Sequence, residues 1–270
     1  NQNLDGTGDL TIRQSGGLAF GGSFTQANVA IQNTGANDTV AFDGSTSITS
    51  GLTVARGTET YNVRFRGATN RIAGATTFNN VGSLQVGDGA ADTTTFVGGI
   101  IASAPTALSI AGTVAAEGTG VITLDGGPVT VSDSATVGGT STGAITLADT
   151  TINDGKTLTL GAGSSATVTV GSISGVASGA KSNVVFNSTG AVAVNGAIGT
   201  DIGSVTVTNS GGATFNGAVT ADSVTVTAST DNSTVSFVDN VTTAGALTVG
   251  AGAFNLVMTG NVNSLGGATT

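Results

Sequence analysis

The segment Phe215-Asn-Gly-Ala-Val219, followed by Val224-Thr-Val226, returns as Phe237-Val-Asp-Asn-Val241, followed by Leu247-Thr-Val249. In both copies a short apolar stretch is separated from the next by Asn or Asp, residues that favour turns. A single copy of this kind cannot bury its own apolar side chains. Stacked copies can, so the repeat predicts a β-solenoid.

Less regular copies of the pattern occur earlier in the chain. The Phe-to-Phe intervals are 18 residues from Phe78 to Phe96, 22 from Phe215 to Phe237, and 17 from Phe237 to Phe254. These intervals predict a period near 20 residues and about 13 coils. Parallel strands of successive coils then lie about 4.8 Å apart along the rod axis. The earlier copies begin at Phe42, Phe78, Phe96, Leu147 and Phe186.

Strict alternation of apolar and small polar residues, as in Ala166-Thr-Val-Thr-Val170, is typical of strands with one buried face. No segment has a sustained helical period, and helix-forming charged residues are scarce. The sequence therefore predicts an all-β, single-domain parallel β-helix. Residues 41–270 form the regular repeats, and residues 1–40 form a less regular coil or a cap over the terminal strand edge. The alternative is a sandwich or barrel of β-hairpins.

The composition excludes several classes of function. The chain of 270 residues has no Cys, His or Trp, so it lacks the usual zinc ligands and histidine acid–base catalysis. Charged residues make up 9% of the chain, and no pair of carboxylates suggests a catalytic site.

The net charge of −9 argues against nucleic acid as a partner. The uncharged stretch of residues 93–116 alternates in polarity, which argues against a membrane-spanning segment. We therefore expect a protein that is not an enzyme.

The basic residues are concentrated in the first part of the chain. Residues 1–71 contain five acids and five Arg, with a net charge of 0, whereas residues 72–270 contain eleven acids and two Lys, with a net charge of −9. In Val63-Arg-Phe-Arg66 the alternation places Val63 inward together with Tyr61, and both Arg outward. One hypothesis is an interaction patch, and the other is a solvated strand face balanced by Glu59 and Asp43. The patch consists of Arg56, Arg64, Arg66 and Arg71.

Two further binding hypotheses concern turns and threonines. Acids in turns, such as Asp88, Asp92 and Asp125, supply oxygen atoms that calcium prefers, but they do not recur at coil spacing. We therefore expect no cofactor, with calcium as the alternative.

Thr-x-Thr pairs would suit an ice-binding face only if they recurred in nearly every coil. The pairs are Thr167 with Thr169, Thr206 with Thr208 and Thr225 with Thr227, and the residues that interrupt the pattern are Ala193, Ala246 and Gln85.

Segments such as Thr214–Val226 and Leu247–Phe254 resemble the repetitive β-helical passenger regions of bacterial surface proteins. These are autotransporter passengers, filamentous-haemagglutinin-like adhesins and surface-layer proteins of the autotransporter type. The resemblance covers roughly residues 40–265 and rests on composition and repeats. It implies a right-handed helix and an extracellular or cell-surface location.

We therefore expect a non-enzymatic structural rod that self-assembles into a filament or surface layer, with further copies of itself or a neighbouring surface protein as partner. The first alternative is an adhesin fragment that binds host or abiotic surfaces. Two more distant alternatives are an ice-binding protein and a β-helical enzyme that acts on acidic polysaccharide around Arg64 and Arg66.

Overall fold

The computed structural model describes residues 3–270, which form 32 short strands and, within that range, no helix. Every strand pairing in this range is parallel, which confirms the β-solenoid and excludes the hairpin sandwich. The strands are β1 (Leu4–Asp5), β2 (Asp9–Ile12), β3 (Leu18–Phe20), β4 (Phe24–Ile31), β5 (Thr39–Phe42), β6 (Thr46–Val54), β7 (Asn62–Phe65), β8 (Thr69–Ile72), β9 (Thr76–Thr77), β10 (Ser83–Val86), β11 (Thr93–Phe96), β12 (Gly99–Ile101), β13 (Ala107–Ala116), β14 (Val121–Leu124), β15 (Val129–Gly139), β16 (Ile145–Leu147), β17 (Thr150–Ile152), β18 (Thr157–Ser164), β19 (Val168–Val170), β20 (Ile173–Gly175), β21 (Ser182–Ser188), β22 (Val192–Val194), β23 (Ile198–Gly199), β24 (Ile202–Asn209), β25 (Ala213–Phe215), β26 (Val219–Ala221), β27 (Ser223–Val226), β28 (Thr234–Phe237), β29 (Val241–Thr243), β30 (Leu247–Val249), β31 (Asn255–Met258) and β32 (Ser264–Leu265).

Each turn of the solenoid contributes one strand to each of three faces. Strands β4, β6, β13 and β15 are long enough to continue around a corner from one face to the next. Face 1 contains β3, β5, β7, β10, β13, β15, β17, β20, β23, β26, β29 and β32. Face 2 contains β1, β4, β6, β8, β11, β13, β15, β18, β21, β24, β27 and β30. Face 3 contains β2, β4, β6, β9, β12, β14, β16, β19, β22, β25, β28 and β31.

The register of the strands confirms the repeat that the sequence suggested. Phe215 pairs with Phe237, and Val224 pairs with Leu247. The solenoid has about 12 turns with a period of about 22 residues, instead of about 13 turns of about 20. The predicted period was too short because some Phe-to-Phe intervals connect residues on different faces and are not full turns. Phe78 pairs with Val54 on face 3, while Phe96 pairs with Ile72 on face 2. A strand spacing of about 4.8 Å gives a rod of about 58 Å.

The first turns follow the same scheme. The segment predicted to be less regular is residues 1–40, and its residues 1 and 2 lie outside the described residues. From Leu4 onward the strands of this segment pair in parallel with the next turn, as in Leu4 with Phe24 and Leu18 with Val40.

Inward-pointing apolar side chains form ladders along the rod axis. Near one end, the rings of Phe42 and Phe65 stack with centroids 4.7 Å apart and planes within 5°. Near the other end, Phe215 and Phe237 stack at 4.8 Å and 9°. Aliphatic residues such as Val131 fill the core between these two aromatic blocks. Stacked like residues fill a narrow core without gaps, because each turn presents the same shape to its neighbours.

The corner between faces 2 and 3 contains buried serines that tie successive turns together. Ser188, 1% exposed, donates a hydrogen bond to the carbonyl of Ala166 at 2.6 Å and accepts one from the amide of Gly190 at 3.1 Å. Such hydroxyls satisfy backbone groups at a corner where the strand ladder is interrupted. The buried serines of this corner are Ser141, Ser164, Ser188, Ser210 and Ser229.

Replacing Ser188 by Ala should destabilise the fold by about 1–3 kcal/mol, because it leaves buried backbone groups without a partner. Denaturant unfolding followed by circular dichroism measures the effect. The matched control is Ser165→Ala, one turn away at the same corner, where the side chain is exposed and the change should be within about 0.5 kcal/mol. Equal effects of the two substitutions would contradict a structural role for the buried serines.

Tyr61 points into the core, as the alternation predicted. It is fully buried, and its hydroxyl donates a hydrogen bond to the carbonyl of Ala55. This contact closes the loop of residues 55–61 between faces 3 and 1. Burial disfavours the charged phenolate and raises the pKa of Tyr61 to about 12.

Because Tyr61 is the only Tyr and the chain has no Trp, ultraviolet absorbance near 295 nm reports its ionisation alone. We expect a midpoint near pH 12 in the folded protein. The same chain unfolded in guanidinium chloride should titrate near the ordinary value of about 10. A midpoint near 10 in the folded protein would show that the ring is not buried.

Candidate interaction surfaces

The four arginines of the predicted patch lie at different places on the rod. Arg56 is exposed in the loop at the corner between faces 3 and 1. Arg64 and Arg66 lie on β7 of face 1 and just after it, and Arg71 lies on β8 of face 2. Arg64 and Arg66 are neighbours, as predicted, but the structure does not bring all four together on one face.

Arg64 and Arg66 both bind Asp43 of the preceding turn. The Arg64 Nη2 atom lies 3.0 Å from Asp43 Oδ2, and Arg66 Nε lies 2.9 Å from Oδ1. Burial raises the pKa of Asp43, but the hydrogen bonds from Arg66 and Arg64 outweigh it and hold the pKa of this carboxyl below its ordinary value. The predicted balancing role of Asp43 is therefore correct. Among residues 3–270, the second ion-pair partner of Arg66 is Asp88 at 3.8 Å, and not Glu59.

These residues belong to a longer feature, which we call the charged ridge, along the corner between faces 1 and 2. Five of the six ion pairs in the described chain lie on it, and each joins different turns. In the C-terminal half, Lys156 binds Asp133 at 2.7 Å, and Lys181 reaches across one turn to Asp222. The ridge therefore links turns by charge outside the core. Its ionic residues are Asp43, Arg64, Arg66, Asp88, Asp133, Lys156, Lys181 and Asp222.

Arg71 forms the sixth ion pair, on face 2. Its two terminal nitrogens contact both carboxylate oxygens of Glu117, at 2.6 and 3.0 Å. Glu117 follows β13, so the pair spans two turns of the solenoid. The hydrogen bond from Arg71 lowers the pKa of Glu117. The pair is not apparent from sequence because Glu117 lies 46 residues from Arg71, and corners of variable length hide a spacing of two turns.

Face 2 also presents a long column of outward hydroxyl groups, which we call the hydroxyl ladder. Thr206 and Thr225 belong to it, whereas Ala193 pairs with Thr169 on face 3, and Gln85 lies on face 1. Ala193 therefore interrupts the Thr169 position on face 3, as expected, whereas Gln85 lies on a different face from all three Thr-x-Thr pairs. The ladder consists of Thr69, Thr93, Thr113, Thr136, Thr159, Thr206, Thr225 and Thr248, in consecutive register except at one turn, where Val185 stands between Thr159 and Thr206.

At the N-terminal part of face 2, two shallow grooves flank Arg71. The first, of about 360 Å³, is lined mainly by Ser and Thr from three turns, and the second, of about 320 Å³, continues it toward face 3. Both are lined by Ser47 and Arg71, so together they cross the face. The first groove is lined by Ser23, Thr25, Ser45, Thr46, Ser47, Thr69 and Arg71.

The acids in turns make hydrogen bonds to nearby residues. Asp92, for example, accepts hydrogen bonds from the amides of Asp88 and Gly89, both at 2.9 Å. In the part of the chain that the structure describes, no three carboxylates converge in an arrangement that could hold a metal ion.

Comparison of this chain with family models, with curated proteins and with solved structures found no match. Between residues 3 and 270, the structure contains no helical segment with the length and hydropathy needed to cross a lipid bilayer. The class that the fold defines is that of parallel β-solenoid proteins.

Replacing Asp43 by Asn should lower stability by up to about 1 kcal/mol at pH 7, because Arg64 and Arg66 lose a shared counter-charge at a half-buried site. The pKa of Asp43 is lowered in the folded state, so its contribution is present above the ordinary value of 3.8 and is lost as pH falls through the folded value. Thermal unfolding at pH 7 and at pH 3 measures both effects.

In that experiment the difference between wild type and D43N should shrink at the lower pH. Asp231→Asn is the control, since it removes one carboxylate in the same way from an exposed residue of the loop between β27 and β28. A difference that stays constant with pH would contradict the assigned role of Asp43.

Proposed function

We propose that this chain is a non-enzymatic structural rod of a bacterial cell surface, and that rods self-associate into a filament or layer. The observation that carries the proposal is the uninterrupted stack of about 12 turns with one continuous core. A rod of this kind holds two points a fixed distance apart and presents the same three faces along its length. Both properties suit a scaffold.

The links between turns support a mechanical role. Apart from the strand ladders, turns are joined by the buried serines of one corner and by the charged ridge of another. The pair Lys181–Asp222 and the pair Arg71–Glu117 each bridge across an intervening turn. Such links resist separation of neighbouring turns along the axis, which is the weak direction of a solenoid.

The outermost turns support self-association. Among residues 3–270, nine hydrophobic residues pack against the core while remaining partly exposed, and eight of them lie in the first two or last two turns. Further turns of a longer chain would cover these side chains, and so would a second copy of the 270-residue chain. Contacts of this head-to-tail kind propagate into filaments. The eight residues are Leu10, Leu18, Phe20, Val249, Phe254, Leu256, Met258 and Leu265.

An adhesin is the second candidate function. The observation that favours it is the hydroxyl ladder, a regular column of polar groups with a spacing of about 4.8 Å on an otherwise uncharged stretch of face 2. An extended polar face of this kind suits contact with a repetitive surface. The extracellular location belongs to both candidates and rests on the resemblance to passenger regions.

Electron microscopy of the purified chain in near-physiological salt tests the structural proposal. We expect filaments or sheets with an axial repeat near 58 Å, because each copy adds about 12 strand spacings to the stack. Dispersed rods of that length at all concentrations would contradict self-association and favour the adhesin. Analytical ultracentrifugation of the same samples gives the association constant.

A pair of variants separates end-to-end from lateral association. Leu256→Lys places a charge at the partly exposed end of the core and should abolish filaments while leaving the circular dichroism spectrum unchanged. Thr214→Lys places the same charge outward on face 3 in the body of the rod and should have no effect on end-to-end assembly. Loss of assembly in T214K alone would indicate that the rods associate through their sides.

A further inference from the structure

The two grooves beside Arg71 form one channel on face 2, which we call the Arg71 channel. Its floor follows the register Thr25, Ser47, Arg71, in which each residue pairs with its counterpart in the next turn. Thr25 and Arg71 are therefore about 10 Å apart along the rod. Thr95 continues the column on the far side of Arg71. The channel thus presents a row of polar side chains at regular spacing.

Several of these polar groups are free to bind a ligand. The hydroxyls of Thr25, Ser45, Ser47 and Thr69 make no hydrogen bond to another residue of the described chain, and all four side chains are exposed or half-buried. Each hydroxyl can donate one hydrogen bond and accept two. A cluster of this kind matches a ligand that itself carries many hydroxyl groups.

Arg71 lines the channel as a charged donor, and Glu117, which is bound to it, adds a charged acceptor beside the channel. Their pairing uses one N–H of each terminal nitrogen of Arg71, so the second N–H of each terminal nitrogen and the Nε–H are not used by Glu117. The Arg71 side chain is 54% exposed and that of Glu117 is 39% exposed. A pair of neighbouring hydroxyls on a sugar ring can accept from such a guanidinium and donate to such a carboxylate at the same time.

We propose that the Arg71 channel binds a neutral saccharide chain, laid along the rod on face 2 with its hydroxyls on Thr25, Ser47 and the Arg71–Glu117 pair. An acidic saccharide fits less well, because Glu117 already neutralises Arg71 and the protein as a whole is acidic. The channel has no aromatic side chain among its lining residues, so affinity per site is low, with a Kd on the order of 1 mM. The inference is independent of filament formation.

The test is a titration of the ¹⁵N-labelled 270-residue chain with soluble hexasaccharides, followed by NMR. The neutral probes are cellohexaose, maltohexaose and N-acetylchitohexaose, and the acidic probe is an oligogalacturonate of the same length. We expect at least one neutral probe to shift resonances of β4, β6 and β8 selectively. The double variant Thr25→Val, Ser47→Ala removes two hydroxyls of the channel and should weaken that binding at least tenfold.

The matched control is Thr214→Val, Ser236→Ala, which removes the same two kinds of hydroxyl from paired positions on face 3. It should leave binding unchanged, and the thermal midpoints of both double variants should agree. Three results would overturn the proposal: no binding of any neutral probe, tighter binding of the acidic probe, or equal weakening in the two double variants.

Discussion

The fold depends on one constraint, which is that a single turn of about 22 residues has too few apolar side chains to bury any of them by itself. Each turn becomes stable only by pairing its three strands with those of the turns above and below. Parallel pairing in register brings like residues over like residues, as Phe42 over Phe65 and Val224 beside Leu247. Everything else in the molecule, including the serine corner and the charged ridge, acts across the same interface between turns.

The different kinds of contact at the corners of the solenoid follow from this constraint. At corners the strand ladder is interrupted, so backbone groups and turn-to-turn contacts must be satisfied in other ways. One corner uses hydroxyls of buried serines such as Ser188 and Ser229, and another uses ion pairs such as Lys156–Asp133. The ion pairs of this weakly charged chain therefore connect different turns of the solenoid. The faces between the corners carry mainly uncharged hydroxyls, and Arg64 of face 1 and Arg71 of face 2 are among the exceptions.

The local features of the fold could be predicted from sequence, whereas the features that depend on counting turns could not. The pairing of Phe215 with Phe237 and the inward position of Tyr61 follow from repetition and alternation, which are visible within a few residues. The period was underestimated because Phe78 and Phe96 lie on different faces. The hydroxyl ladder and the Arg71–Glu117 pair were missed for a related reason: corners range from the single residue Asp222 to the loop at 55–61, so residues that are neighbours in space have no fixed spacing in the chain.

This variation in corner length also bears on how such a chain can change over evolutionary time. Since only the strands set the register, a corner can lengthen or shorten without disturbing the turn beneath it. A whole turn can likewise be duplicated or removed, because the surfaces it exposes and the surfaces it meets are alike. Unequal recombination between repeats would therefore alter the rod in discrete steps of one strand spacing, so that closely related strains could carry versions of different length with the same cross-section.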